Sequence, residues 1–196
     1  MKTNLFLTSS AAVLLSLTAA NAVEFNPFIG ANMGIAGTNY SNEAEDLYAV
    51  ADLPSDFFAF GIEGGVRFGD YNKIYNGGVT LNLDMTDKEK IREKFSDTKL
   101  ANIKTFAMSA TYDNYLRLSG DKTSRIDLVL GAGLGTMNYK IDDTVYSPTF
   151  AFKAALDFGL TRNIILSAQT RLFVPTRSHY DIDTQYIVGG AIKYQF

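Results

Sequence analysis

The chain has one histidine and no cysteine. Thiol nucleophiles, thiolate metal ligands and disulfides are therefore outside its chemistry. The histidine lies in Arg177-Ser178-His179-Tyr180-Asp181. A serine beside a histidine could support acyl transfer, with the imidazole taking the hydroxyl proton. In an extended segment, however, adjacent side chains point to opposite faces, so Ser178 and His179 would diverge. His179 with Asp181 and Asp183 could hold a divalent cation, but a solvated loop histidine explains the motif as well. No catalytic, cofactor or metal residue is assigned, and the chain does not read as an enzyme.

The remaining chemistry is ionic. Glu63, Arg67, Asp84, Asp113, Arg117, Arg125, Asp127, Lys153, Asp157, Arg171 and Lys193 sit on the polar face of segments that alternate with period two. Buried charge is costly unless it is paired, so this set predicts either an ion-paired plug or the lining of a narrow gated pore. Asp113, Arg117, Arg125 and Asp127 fall low on one hairpin and could pair among themselves. Register through the tight turn at Arg162 places Lys153 beside Arg171. Glu63, Asp84 and Asp157 are the anions available to them.

Eight segments of strand character must position these groups. They run over 24–36, 57–68, 73–85, 102–118, 123–138, 149–161, 163–174 and 184–196. Each sets apolar residues against small or polar ones, which is the mark of a two-faced strand. Their length suits a tilted strand crossing a bilayer. Connections alternate between short and long. Gly69-Asp70-Tyr71-Asn72, Ser119-Gly120-Asp121-Lys122 and Arg162 are tight; 37–56, 86–101, 140–148 and 175–183 are longer. Thr86 and Glu89 fit a capping box and Ile91 with Phe95 an i,i+4 pair, which predicts a short helix in the second long connection. The first long connection carries Glu43, Glu45, Asp46 and Asp52 without a basic residue.

The N-terminus reads as an export signal. Lys2 precedes an apolar run, and Ala20-Asn21-Ala22 forms an A-x-A cleavage site. Residues 1–22 are thus expected to be removed through the general secretory pathway, leaving one domain over 23–196. The whole chain carries 18 basic and 21 acidic residues, a net charge of −3; loss of Lys2 makes the mature charge −4. That balance gives no reason to expect a nucleic-acid partner.

The polar face is rich in glycine and sparsely charged, which suits a cramped interior. Aromatics gather at strand ends: Phe68, Tyr75, Tyr112, Tyr194 and Phe196 at one level, Phe58, Phe150 and Tyr186 at the other. This matches the girdles of a membrane barrel. The expected fold is all-β: an eight-stranded antiparallel up-and-down transmembrane barrel, with short periplasmic turns and longer extracellular loops. The last strand must pair with the first, because an open edge in lipid leaves backbone groups unsatisfied.

With the export signal, eight alternating strands and Tyr194-Gln195-Phe196 ending, the chain resembles the small Gram-negative outer-membrane β-barrel proteins of the OmpA-like or opacity-porin-like superfamily. The resemblance implies location in the outer membrane, among lipid and lipopolysaccharide. It implies assembly by periplasmic chaperones and the barrel-assembly machinery, with Tyr194 and Phe196 as the assembly signal. Family members often have glycine five residues before the last aromatic; here that position is Ala191. The expected role is structural or adhesin-like, as a monomer with a filled lumen and a possible host or surface ligand at the loops. A narrow porin is the alternative. A lipid A-modifying enzyme is a third; in the deacylases of that kind, serine and histidine sit two apart, unlike Ser178 and His179.

Overall fold

The computed structural model describes residues 24–42, 51–69, 74–93, 99–121, 124–140, 144–176 and 182–196. The cleavage site at Ala20 and Ala22 and the Ser178-His179 motif lie outside them, as do Glu43, Glu45 and Asp46 of the acidic connection.

Among the described residues there are ten strands: β1 (Phe25–Tyr40), β2 (Ala51–Asp52), β3 (Asp56–Phe68), β4 (Tyr75–Thr86), β5 (Glu89–Glu93), β6 (Lys99–Gly120), β7 (Arg125–Lys140), β8 (Thr144–Gly159), β9 (Ile164–Pro175) and β10 (Ile182–Gln195). Eight of them form an antiparallel ring in the order β1, β3, β4, β6, β7, β8, β9, β10. The ring closes where β10 returns to β1, from Phe28 opposite Gln195 to Tyr40 opposite Ile182. Each of the eight strands thereby has a paired neighbour on both sides.

Alternation decides which side chain goes where. Ile29, Met33 and Ile35 of β1, Leu81 of β4, Leu130 and Leu134 of β7, and Val188 and Ile192 of β10 are exposed on the outer wall. Their neighbours along each strand point inward. The aromatics named above follow: Phe58, Tyr75, Tyr112, Phe150, Tyr186, Tyr194 and Phe196 are all exposed, and Phe68 packs against Tyr112 with ring centroids 6.1 Å apart.

The lower end holds the start of β1 and the tight turns. Gly69 (φ 125°) and Gly120 (φ 91°) take left-handed conformations there, which glycine adopts without steric cost. The β8–β9 turn is closed by the Leu160 amide donating to the Ile164 carbonyl and by Thr161 Oγ1 accepting from two backbone amides.

The upper end departs from the sequence-based expectation in two ways. The short helix predicted after Thr86 is instead β5, which pairs with β6 from Glu89 opposite Ile103 to Arg92 opposite Lys99. The backbone finds ladder partners on β6, and Ile91 becomes fully buried beside Ile103. That tertiary gain outweighs a marginal local helical preference. Strands also run further up than expected. β6 spans 22 residues, about twice what a bilayer requires. β7 and β8 pair up to Lys140 opposite Thr144, so the connection expected over 140–148 shrinks to 141–143.

These extensions enclose an apolar cluster that the reading of the polar face did not foresee. Ala36, Phe57, Ile91, Ile103, Met137, Tyr139, Phe173, Ile182 and Ile187 pack together inside the upper barrel. Each large aliphatic or aromatic side chain buried this completely contributes about 1.5–3 kcal/mol. The upper barrel is therefore held from within by a hydrophobic core, as a water-soluble barrel would be.

Candidate functional site

Below the apolar cluster the lumen is polar. Asn32, Glu63, Arg67, Asn82, Asp84, Asp113, Arg125, Asp127, Lys153, Asp157, Gln169, Arg171 and Lys193 are all buried. They come from every strand of the ring. Their shared parity within each strand turns them inward, and closure brings opposite walls within side-chain reach.

The middle layer is a set of braces across the barrel. Lys153 on β8 donates to Glu63 on β3 at 3.1 Å and to Asp113 on β6 at 3.2 Å. Arg171 on β9 pairs with Asp84 on β4 at 2.9 Å and donates to Asn32 at 2.9 Å and Asn82 at 3.3 Å. Lys193 on β10 holds both oxygens of Asp157 at 2.9 and 3.1 Å. Asp113 also accepts from Thr80 and Thr111, each at 2.7 Å. Charge-assisted bonds of this length are the strong class, and they offset the cost of removing these ions from water.

Glycines make room for them. Asp113, Gly131 and Lys153 stand in one row across β6, β7 and β8. A Cβ at Gly131 would collide with Asp113 Oδ1. One at Gly61 would meet Asp84 Oδ1. The glycine-rich inner face therefore seats carboxylates.

In the lower layer several guanidiniums meet at one carboxylate. Asp127 on β7 is the anion for three guanidiniums: Arg67 at 2.5 Å, Arg125 at 3.0 Å and Arg117 at 3.5 Å. Arg67 also lies 4.5 Å from the centroid of the buried Tyr115 ring. Arg125 donates to Gln195 at 3.0 Å.

The expected neighbours are only partly those found. Arg117, Arg125 and Asp127 do meet low on the β6–β7 hairpin. Asp113 does not join them; it sits a layer higher and serves Lys153. Asp113 is four residues above Arg117 on β6, and the Gly131 gap opens it towards β8. Lys153 does oppose Arg171, and Glu63, Asp84 and Asp157 do supply anions. Reading along single hairpins gave no sign that Arg67 on β3 would reach Asp127 on β7. The apolar cluster was also missed, yet its signal exists: Phe57 has the parity of Glu63, Phe173 that of Arg171, and Ile187 that of Lys193. Among the described residues, no group of three His, Cys, Asp or Glu could hold a metal ion.

A ring of antiparallel strands, apolar outside and ionic inside, is a membrane barrel by construction. The family model described as "Outer membrane protein beta-barrel domain" matches residues 7–196. The chain belongs to that family. Among solved structures it is similar to Ail, the attachment invasion locus protein of Yersinia pestis, captured in complex with the heparin analogue sucrose octasulfate. The match is 16% identical, covers 88% of this chain and 99% of that one, and has a TM-score of 0.54. Neisserial surface protein A (NspA) is 11% identical, with 90% of this chain and 100% of that one covered and a TM-score of 0.52. The outer membrane protein OprG of Pseudomonas aeruginosa is 15% identical, covers 86% and 95%, and has a TM-score of 0.55. At these identities the likeness is one of fold. No curated protein matches the chain.

As a member of this outer-membrane family, the chain places its tight turns in the periplasm and its upper strands outside the cell. The apolar cluster is then an extracellular plug, the Lys153 and Arg171 braces lie at the mid-depth of the lumen, and the arginine cluster faces the periplasm.

Proposed function

We propose that the protein is a surface-interaction protein whose lumen is structural and whose working parts are the extracellular ends of its strands and their loops. The observation that carries this reading is the double filling of the lumen. Ionic braces cross its middle, and the Phe57–Phe173–Ile187 cluster lies above them. A solute would have to break buried ion pairs and part a hydrophobic core, each at a cost of several kcal/mol. By contrast, β6, β7 and β8 rise well past the bilayer and hold a supported platform outside it.

The neighbours named for attachment and for the cell surface have the same architecture, which supports the reading. The platform presents exposed Lys88, Lys90 and Lys104, cations suited to an anionic glycan. The test is adhesion of bacteria expressing the protein to heparin-coated and epithelial surfaces. Replacing 41–55 by a short turn, or Lys88, Lys90 and Lys104 by Gln, is expected to remove adhesion while the barrel keeps its heat-shifted electrophoretic mobility. Adhesion equal to that of cells lacking the protein would overturn the proposal. The narrow-porin alternative is tested by planar-bilayer recording of the refolded chain. Silence is expected, and discrete conductance that changes in Arg171→Ala would replace this reading with that one.

A further inference from the structure

The outer wall carries a recess near its lower rim. A groove of about 460 Å³ runs over β3, β1, β10 and β9, between Ile29, Ala31, Ile62, Ile164, Ile192 and Tyr194. Its origin is one small residue in a row of large ones. Ala31 stands between Ile62 on β3 and Ile192 on β10, and below it on β1 Ile29 stands beside Tyr194. Gly30 and Lys193 also reach the groove, but only with main chain. Lys193 turns into the lumen to hold Asp157, and a Cβ at Gly30 would meet Glu63 there. These two residues face each other in the β1–β10 ladder. Apart from the Tyr194 hydroxyl, the groove is therefore apolar.

The aromatic girdles set its depth. Tyr194 belongs to the lower level and Tyr186, further up β10, to the upper one; both are exposed. In an outer-membrane barrel the lower level faces the periplasm. The groove thus lies in the hydrocarbon of the periplasmic leaflet, which is made of phospholipid tails. Four of its sides are isoleucines, whose branched side chains are stiff, so the recess is pre-formed. Left unfilled, it would forfeit the dispersion contacts of its lining. A second copy docking by the same patch about a two-fold axis would set groove against groove and fill neither. A narrow, flexible alkyl chain follows the recess and touches its floor at Ala31 and its sides at Ile62 and Ile192.

We infer that this groove is a binding site for one acyl chain of a phospholipid in the periplasmic leaflet. A smooth stretch of wall offers a lipid tail contact on one side only, and neighbouring tails are as apolar as the wall, so it holds no tail in preference to another. The groove adds contact on three sides and orders no side chain to do so. Pre-organisation of that kind is what tightens binding, and it acts through the time the tail stays. The volume is within the range of small-molecule pockets, about 300–1,000 Å³. The site is independent of the extracellular surface and of whatever the loops bind.

The test counts retained lipid. The full chain is refolded into vesicles of phosphatidylethanolamine and phosphatidylglycerol, extracted into a mild detergent and weighed intact by native mass spectrometry. A barrel carrying a single phospholipid is the expected species. Ala31→Phe fills the groove and should remove that lipid, and Ala31→Val, a smaller filling at the same exposed position, should remove part of it. Ala132→Phe is the control, since Ala132 is exposed on β7, at the far side of the ring, and it should retain the lipid. All three substitutions lie on the outer wall, and each variant should keep the folded barrel's electrophoretic mobility. A wild-type barrel without lipid, equal retention in wild type and Ala31→Phe, or equal loss in Ala31→Phe and Ala132→Phe overturns the assignment. A dimer mass that Ala31→Phe abolishes also overturns it, and gives the groove to a second copy of the chain.

Discussion

Lys153 and Arg171 stand directly opposite each other on β8 and β9, and each reaches a carboxylate on the far wall, Glu63 on β3 and Asp84 on β4. Two neighbouring cations are thus held apart by anions that pull across the barrel's diameter.

Removing one partner of such a brace strands the others. Lys153→Met leaves Asp113 buried without its cation and Glu63 with only Lys193, 3.9 Å away, and should cost about 3–5 kcal/mol of stability. The measurement is the urea midpoint of the refolded barrel, read by electrophoretic mobility. Adding Glu63→Gln and Asp113→Asn should restore much of the loss. Equal midpoints for wild type and Lys153→Met would show that the brace contributes nothing.

Glycine substitutions should divide by face. Gly131→Ala drives a methyl into Asp113 Oδ1 and is expected to destabilise by about 1–3 kcal/mol, as overpacking does. Gly190→Ala points to the outer wall and meets only Ser167 O at an ordinary 3.5 Å. It should be neutral or slightly stabilising, since alanine is favoured over glycine in a strand by about 0.5–1 kcal/mol. Parallel urea titrations of the two variants check the contrast.

The two fillings of the lumen should act in series. Phe173→Ala opens a void in the extracellular plug and should cost about 3–5 kcal/mol, without producing current in a planar bilayer, because the ionic braces remain below it. Discrete conductance in Phe173→Ala would mean that the plug alone seals the barrel.

The last aromatic should matter more for assembly than for the finished fold. Phe196 is 69% exposed and makes an edge contact with Tyr194 at 5.3 Å. Phe196→Ser is expected to change the refolded barrel's stability by about 1 kcal/mol at most, the scale of one aromatic pair, while sharply reducing folded protein in the outer-membrane fraction of cells. Undiminished recovery from cells would remove Phe196 from the assembly signal.

The wall of this barrel was legible in the sequence because side-chain period two records which face meets lipid. The pairing of Lys153 with Arg171 followed from one tight turn, and closure of β10 on β1 followed from the impossibility of a free edge in lipid. Cross-lumen partners were legible only as a pool of anions. Which carboxylate Lys153 reaches depends on shear and on the space left by Gly131, quantities that no single strand carries. Asp113 was placed too low for that reason. A helix is the expectation at β5 because Ile91 and Phe95 fit either period over so few residues, and only the presence of Ile103 on β6 decides between them. The extracellular plug was overlooked because Phe57 and Phe173 look like more of the lipid-facing stripe until their parity is followed down to Glu63 and Arg171.

The braces also have a consequence in time. They join residues far apart in sequence: Arg67 to Asp127 across 60 positions, Lys153 to Glu63 across 90, Arg171 to Asn32 across 139. The hairpins can zip from their turns without any of these contacts, whereas the contacts cannot form until the ring has shut. Interactions made after the rate-limiting step leave the speed of folding nearly unchanged and slow the reverse reaction. The ionic layer of this barrel therefore acts as a latch, setting how long a closed molecule stays closed.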